Sequence, residues 1–295
     1  MFIINFIRGF FMALADSVPG VSGGTIAFLL GFYDNFINSL NALVSIKSSR
    51  EEKKKSLIFL IKLGIGWVIG FLLSMIILSS IFEKEIYKIS SVFIGFIVLA
   101  IPIVIKEEKD SIVGKYKNII FTIVGILIVA AITYFNPSGG DGFKLSLDNL
   151  SIGLGLYVFF VGMIAISAMV LPGISGSTLL LIFGLYVPIV NAIKETLKIN
   201  LSYLPILIIF GLGVIAGIVS VIRLLKYVLE NYRSQVIYLI LGLMIGSLYA
   251  VFMGPTTLET PKDPMSLKTF SIVYFVIGGA VIFALQQLKV FFEKK

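Results

Sequence analysis

Long apolar stretches separated by short charged loops run along the whole chain. Many of the stretches reach about eighteen residues or more, the length typical of membrane-spanning helices, and the alternating ten-residue pattern of a membrane β-barrel is absent. A spanning helix bonds all of its backbone groups within its own segment. We therefore predict an all-α polytopic membrane protein, with spans at about 56–81, 89–105, 118–135, 204–229, 235–253 and 269–292.

Two further apolar segments, residues 1–46 and 151–195, are each interrupted by Pro and Gly near the middle. In the first segment, residues 1–17 form an apolar arm, residues 18–24 break it, and residues 25–46 are predicted to resume a helix. An arm of this length reaches only about 25 Å, which is short of a hydrocarbon core roughly 30 Å thick. We therefore predict that each segment is a re-entrant helical hairpin.

The two interruptions are copies of one motif, 153 positions apart. Between Pro19 and Tyr33, seven of fifteen positions are identical to the second copy. A fixed offset of this kind indicates a duplicated unit, so we predict a first repeat at 1–135, a linker at 136–150 and a second repeat at 151–295. The two motifs are Ala15-Asp16-Ser17-Val18-Pro19-Gly20-Val21-Ser22-Gly23-Gly24-Thr25 and Ala168-Met169-Val170-Leu171-Pro172-Gly173-Ile174-Ser175-Gly176-Ser177-Thr178.

The distribution of Lys and Arg predicts how the two repeats are oriented, because cytoplasmic loops carry an excess of both. With one re-entrant hairpin and three spans in each repeat, one face collects fifteen of these residues and the other collects seven. If each broken segment crossed the membrane once, the division would be thirteen against nine. The counts favour inverted repeats with both termini in the cytoplasm, although a version with two complete spans in each broken segment has the same parity.

Composition narrows the possible chemistry. The chain has 295 residues, of which 58% are hydrophobic and 14% charged, and its mean hydropathy of +1.05 is that of an integral membrane protein. The absence of Cys and His excludes disulfides and the usual metal or thiol chemistry, so we predict no metal site, no cofactor and no catalytic residue. The net charge of +8 is attributed to basic cytoplasmic loops and not to a nucleic-acid partner.

The interruptions themselves are candidate anion sites. Glycines permit close approach of a ligand, and the N–H groups at the start of the following helix point toward it with the positive end of the helix dipole. Irregular backbone within a membrane is tolerated where it lines a cavity, and matched interruptions are typical of transporter sites. The alternative is a tight hairpin tip without a ligand. The predicted phosphate-binding residues of the two tips are Ser22, Gly23, Gly24, Thr25, Ser175, Gly176, Ser177 and Thr178.

Asp16 is the one carboxylate placed well inside an apolar stretch, and its counterpart in the second copy is Met169. A charged residue at the bilayer centre costs about 2.5–3.5 kcal/mol on insertion scales, and such residues usually have a function. We predict Asp16 as the residue that couples transport to protons or sodium ions. The alternative is an aspartate that caps a helix near the membrane interface.

Three basic residues, Arg8, Lys62 and Arg223, fall near the predicted cytoplasmic ends of apolar segments. Long basic side chains commonly extend to the lipid headgroups from such positions. If they turn inward instead, they meet an anionic headgroup, so Arg8 and Arg223 are added to the candidate phosphate-binding residues. Tyr33 and Tyr186 recur at matched positions and are predicted to be packing residues.

The two motifs, together with Gly31-Phe32-Tyr33 and Gly184-Leu185-Tyr186, resemble the PopT-type polyprenyl-phosphate transporters, long known only as a domain of unknown function. The resemblance covers essentially the whole chain. It implies a flippase of the cell membrane that returns undecaprenyl phosphate from the outer to the cytoplasmic leaflet, so that the lipid carrier of cell-wall precursors is recycled. The alternatives are an ion-coupled carrier or channel for a small anion, and a membrane lipid phosphatase, which the absence of histidine and of paired intramembrane acids disfavours.

Overall fold

The structure is a computed structural model of the chain, and it describes residues 2–16, 22–134, 151–172, 176, 179–180, 183–257 and 261–293. Within these ranges all regular secondary structure is helical, as the apolar pattern predicts. Five described segments are long and apolar enough to cross a membrane: Arg50–Ser74, Lys84–Glu107, Tyr116–Tyr134, Leu201–Asn231 and Arg233–Thr256. Two more apolar helical stretches, Ile152–Ser167 and Ile272–Ala284, are shorter. The protein is a multi-pass membrane protein.

The first half begins with short helices and continues with long ones. In chain order they are α1 (Phe2–Asp16), α2 (Gly23–Leu29), α3 (Tyr33–Val44), α4 (Arg50–Glu107), α5 (Lys109–Ile112) and α6 (Ile119–Tyr134). Helix α4 starts at a capping box, in which Ser49 and Glu52 each bond the other's backbone N–H. Its backbone leaves helical geometry at Glu85, so α4 contains the first two predicted spans as two segments.

The second half repeats this order over the described residues. Its helices are α7 (Ile152–Val170), α8 (Tyr186–Leu197), α9 (Leu204–Asn231), α10 (Arg233–Met253) and α11 (Ile272–Glu293). Short 3-10 turns precede α9 and follow α10. The predicted linker at 136–150 lies outside the described residues.

The returning arm of the first hairpin is two helices, and the prediction of one helix over 25–46 was wrong. Helix α2 ends at Leu29, and Gly31 adopts a left-handed conformation with φ +66°. The N–H of Gly31 donates to the carbonyl of Phe28 and that of Phe32 to the carbonyl of Ala27, each at 3.0 Å. This is the glycine-terminated helix end known as the Schellman motif, and it redirects the chain before α3 begins.

The second half uses the same stop signal. Gly184 has φ +63°, and the N–H of Leu185 donates to the carbonyl of Leu180 at 2.8 Å. Because Gly184 is the repeat counterpart of Gly31, the recurring Gly-x-Tyr sequence marks a helix end in both copies.

Glycines allow neighbouring helices to pack with their backbones in contact, and they do so at equivalent positions of the two halves. Helix α1 packs on the first segment of α4, where Gly66 faces the backbone of Phe6. Helix α7 packs on α9 in the same way, where Gly213 faces the backbone of Phe159. A Cβ atom at either glycine would overlap the facing carbonyl, so these pairs require glycine.

The last spanning helix of each half packs on the other half. Helix α6 lies against α10, where a Cβ at Gly125 would stand 2.6 Å from the carbonyl oxygen of Leu239. Helix α11 lies against the second segment of α4, where Gly278 faces the backbone of Val92. The two halves therefore share one core, whose centre includes α2, the second segment of α4 and α10.

Candidate functional site at the junction of the two halves

Asp16 ends α1 and is hydrogen-bonded to the start of α2. Its Oδ1 accepts a hydrogen bond from the backbone N–H of Gly23 at 2.6 Å, and its Oδ2 accepts one from the indole Nε1–H of Trp67 at 2.9 Å. Only 8% of Asp16 is exposed. The carboxylate is therefore held on both oxygens, and it occupies one of the backbone donors predicted for a ligand.

Ser22 and Thr25 form the cap of α2. The Oγ of Ser22 accepts from the backbone N–H of Thr25 at 3.3 Å and lies 3.2 Å from the Thr25 hydroxyl. Ser22 has extended backbone angles, as expected for a residue that caps a helix. Both side chains are buried, so these two predicted residues lie inside the protein at the head of α2.

The first tip contacts the end of α7, which belongs to the second half. The Ser22 hydroxyl donates to the carbonyl oxygen of Leu171 at 3.1 Å, and the Tyr33 hydroxyl donates to that of Val170 at 3.1 Å. Gly24 lies so close that a Cβ there would stand 2.7 Å from the Val170 oxygen. The structure thus brings the two interrupted segments together, and Tyr33 is both a buried packing residue and a donor across the junction.

The second tip shows part of the same arrangement. A Cβ at Gly176 would stand 3.2 Å from the Cβ of Met169 and 3.0 Å from the carbonyl oxygen of Ala165. Gly23 meets Asp16 in the corresponding way in the first half. The predicted residues Ser175, Ser177 and Thr178 lie outside the described residues.

The two predicted arginines take different positions. The guanidinium carbon of Arg8 lies 4.7 Å from the centre of the Phe32 ring, next to the turn that follows α2. Arg223 is exposed and donates to the carbonyl oxygen of Val44 at 3.0 Å, at the C-terminal end of α3. Arg8 therefore stands beside the tip segment, whereas Arg223 binds an unpaired carbonyl at the end of a helix.

An ion cluster that the sequence did not predict joins the halves at one face. Arg233, the first residue of α10, donates to both carboxylate oxygens of Glu108, with Nη2–Oε1 at 2.6 Å and Nε–Oε2 at 3.0 Å. Its Nη1 also donates to Oδ2 of Asp34 at 3.0 Å. Bidentate pairing of this kind is specific to arginine and strengthens the ion pair.

The cluster borders a polar cavity of about 360 Å³ that reaches α2. Besides the three ionised residues, Phe28, Gly31, Tyr33 and Glu107 line it. Three carboxylates and one guanidinium therefore lie around this cavity. The only signal for it in the sequence is Asp34, which follows the Gly-Phe-Tyr sequence of the first repeat and has Val187 as its counterpart.

Interrupted helices that meet inside a bundle of apolar spans are typical of membrane transporters. Comparison with known proteins agrees with this class, because residues 12–269 match the undecaprenyl phosphate translocase-like family. The chain belongs to that family, which confirms the resemblance seen in the two motifs. No solved structure matches the chain.

Two curated relatives support the assignment over most of their length. A polyprenyl-phosphate transporter of Staphylococcus aureus (strain NCTC 8325 / PS 47) is 38% identical over 290 residues, which are 97% of this chain and 96% of that protein. A polyprenyl-phosphate transporter of Vibrio cholerae serotype O1 (strain ATCC 39315 / El Tor Inaba N16961) is 32% identical over 269 residues, which are 88% of this chain and 80% of that protein. The prediction of a transporter and not an enzyme is confirmed by these relatives.

Proposed function

We propose that the protein carries a polyprenyl monophosphate, undecaprenyl phosphate or a close relative, from the outer to the cytoplasmic leaflet of the cell membrane. This transport recycles the lipid carrier of cell-envelope synthesis. The matching family and both relatives are named for transport of a polyprenyl phosphate, which supports the substrate class. Taking a phosphate through hydrocarbon without compensating hydrogen bonds is very costly, so a protein path with polar donors is needed.

The observation that carries the proposal is the contact between the first tip and the end of α7, made by Ser22 with Leu171 and by Tyr33 with Val170. A substrate headgroup at this junction touches both halves, so a shift of one half against the other exposes it to alternate leaflets. We propose that its oxygens accept hydrogen bonds from the residues of the two tips. They are Ser22, Gly23, Gly24, Thr25, Ser175, Gly176, Ser177 and Thr178, together with Arg8 and Arg223. Gly23 donates to the headgroup only when Asp16 has released its N–H.

We further propose that the repeats are inverted and that both termini are cytoplasmic. The contact between Arg223 and Val44 supports inversion, because it sets the end of α9 beside the start of α4, its repeat counterpart. The Arg233 to Glu108 pair likewise sets the start of α10 beside the end of the second segment of α4. Both contacts are those expected if equivalent helices run in opposite directions, and the larger Lys and Arg count supports a cytoplasmic location for the face that these contacts share.

The short length of α1 favours a re-entrant first hairpin over a complete span. Its fifteen residues reach about 22 Å, less than the hydrocarbon thickness, before Asp16 turns the chain into the tip. The carboxylate of Asp16 contacts both the first tip and the first segment of α4, so a change at Asp16 reaches both elements. We propose that it couples transport to protons or sodium ions.

Depletion of the protein tests the direction of transport. Intact cells are treated with a headgroup-specific probe that does not cross the membrane, and undecaprenyl phosphate on the outer leaflet is measured before and after depletion. The proposal predicts accumulation of the lipid outside. An unchanged outer pool, in cells without a second transporter for this lipid, contradicts it.

A further inference from the structure

Trp67 is the single tryptophan of the chain, and it lies at the tip although it is far from it in sequence. Its indole N–H donates to Oδ2 of Asp16 at 2.9 Å, across 51 positions. Its ring stacks on Phe71, with ring centres 5.0 Å apart and an angle of 8° between the planes. The ring is thus fixed on its own helix while its N–H points at Asp16.

The geometry orients the carboxylate. An indole N–H donates and cannot accept, so it selects a lone pair of Asp16 and leaves the other oxygen for the N–H of Gly23. Asp16 also lies so close to α2 that position 23 requires glycine, because an added Cβ there would stand 2.6 Å from Oδ2. Loss of the indole donor therefore frees Asp16 to rotate away from the tip.

The repeat supplies a second, independent observation. The counterpart of Asp16 is Met169. Trp67 directly follows Gly66, and Val214 directly follows Gly213, the counterpart of Gly66, so Val214 is the counterpart of Trp67. The packing glycines on either side persist in both halves, whereas both members of the polar pair are replaced by apolar residues. The pair therefore behaves as one unit that only the first half carries.

We propose that Trp67 is the positioning residue of Asp16: its indole N–H holds the carboxylate against the first tip, and the transport step depends on that placement. This inference rests on the proposed role of Asp16 in transport. A purely structural Trp67 would need its ring and its stacking partner but not its N–H.

Fluorescence tests the contact without reference to transport. With one tryptophan, the emission of the purified protein reports on Trp67 alone. Asp16→Met installs the residue of the second half and removes the acceptor. We expect emission to move to shorter wavelength, because the hydrogen bond from the indole N–H to Asp16 stabilises the excited state. An unchanged spectrum in a variant that melts like the original protein overturns the proposal.

Transport in liposomes tests the consequence. Trp67→Phe keeps a ring and loses the N–H, so we expect turnover about tenfold lower, as befits a hydrogen bond to a charged group, with little change in the apparent KM for the lipid. Adding Trp67→Phe to Asp16→Met should cause no further loss, because Trp67 acts only through Asp16. Phe71→Leu, the control, removes the stacking ring, keeps the N–H and should retain most of the turnover.

The two lines of evidence separate failure of this inference from failure of the proposed function. If the unaltered protein moves no lipid while Asp16→Met shifts the emission, the contact stands and the proposed function fails. If the unaltered protein moves lipid and Trp67→Phe does so equally fast, the positioning role is overturned. Should Trp67→Phe fail to fold, an unchanged emission in Asp16→Met still overturns the proposal.

Discussion

Gly24→Ala is the smallest change that should separate the two halves at their junction. The added methyl group would stand 2.7 Å from the carbonyl oxygen of Val170 and 3.1 Å from the carbonyl carbon of Leu171. Both are backbone atoms, so no side-chain rotation relieves the overlap. The first tip and the end of α7 must therefore move apart.

The size of the effect follows from opposing contributions. Overpacking a buried position costs about 1–3 kcal/mol, while Ala in place of Gly inside a helix returns about 1 kcal/mol. The net loss of folding stability is then about 0–2 kcal/mol before any hydrogen bond is lost. The displaced carbonyls also accept the hydrogen bonds from Tyr33 and Ser22, each contributing about 1 kcal/mol, so transport should fall about tenfold or more while the fold survives.

The assay is the initial rate of lipid transfer in liposomes, with the melting temperature measured on the same preparation. Gly64→Ala is the matched control, because it is also a glycine inside a helix but nothing lies within 4 Å of its added methyl group. We expect the control to transport normally. A Gly24→Ala protein with the control's transport rate would refute the idea that contact between the halves sets the rate.

Three other changes test separate parts of the account. Arg233→Glu should lower the melting temperature, because it puts a carboxylate in place of the guanidinium that Glu108 and Asp34 bind, and adding Glu108→Arg should recover part of the loss; no recovery contradicts a direct pair. Asp16→Asn should abolish the response of transport to an imposed pH or sodium gradient, and a full response in this variant would end the coupling hypothesis. Gly176→Val should stop transport while the protein still inserts in the membrane, since even a Cβ atom there would stand 3.0 Å from the carbonyl oxygen of Ala165; normal lipid recycling would remove the second tip from the site.

The apolar pattern and the repeated motif predicted the class of fold and picked out the two interrupted segments that meet in the structure. Both signals are local, because the length of an apolar run and the spacing of Pro and Gly are visible in the chain itself. The recurrence of Gly31 and Gly184 was equally visible, but periodicity alone does not distinguish a glycine inside a helix from one that ends it. The left-handed backbone and the hydrogen bonds that close each helix identify them as ends.

Partners distant in sequence were beyond prediction. Trp67 meets Asp16 across 51 positions and Arg233 meets Asp34 across 199, and no pattern in one chain encodes those distances. The packing of α6 and α11 on the opposite half was not predicted for a related reason. The apolar pattern of α6 reports that it is buried in lipid and protein, but not which helix it packs against.

Lipid accessibility in liposomes tests the central claim most directly. The purified protein is reconstituted with undecaprenyl phosphate in both leaflets, and a water-soluble phosphatase is added outside, where it reaches only the outer leaflet. A parallel set of vesicles is loaded with inorganic phosphate to detect transport of the free anion. We predict that hydrolysis continues from about half of the lipid to nearly all of it, while the entrapped phosphate stays inside. Hydrolysis that stops at half, as in vesicles without protein, would contradict the account.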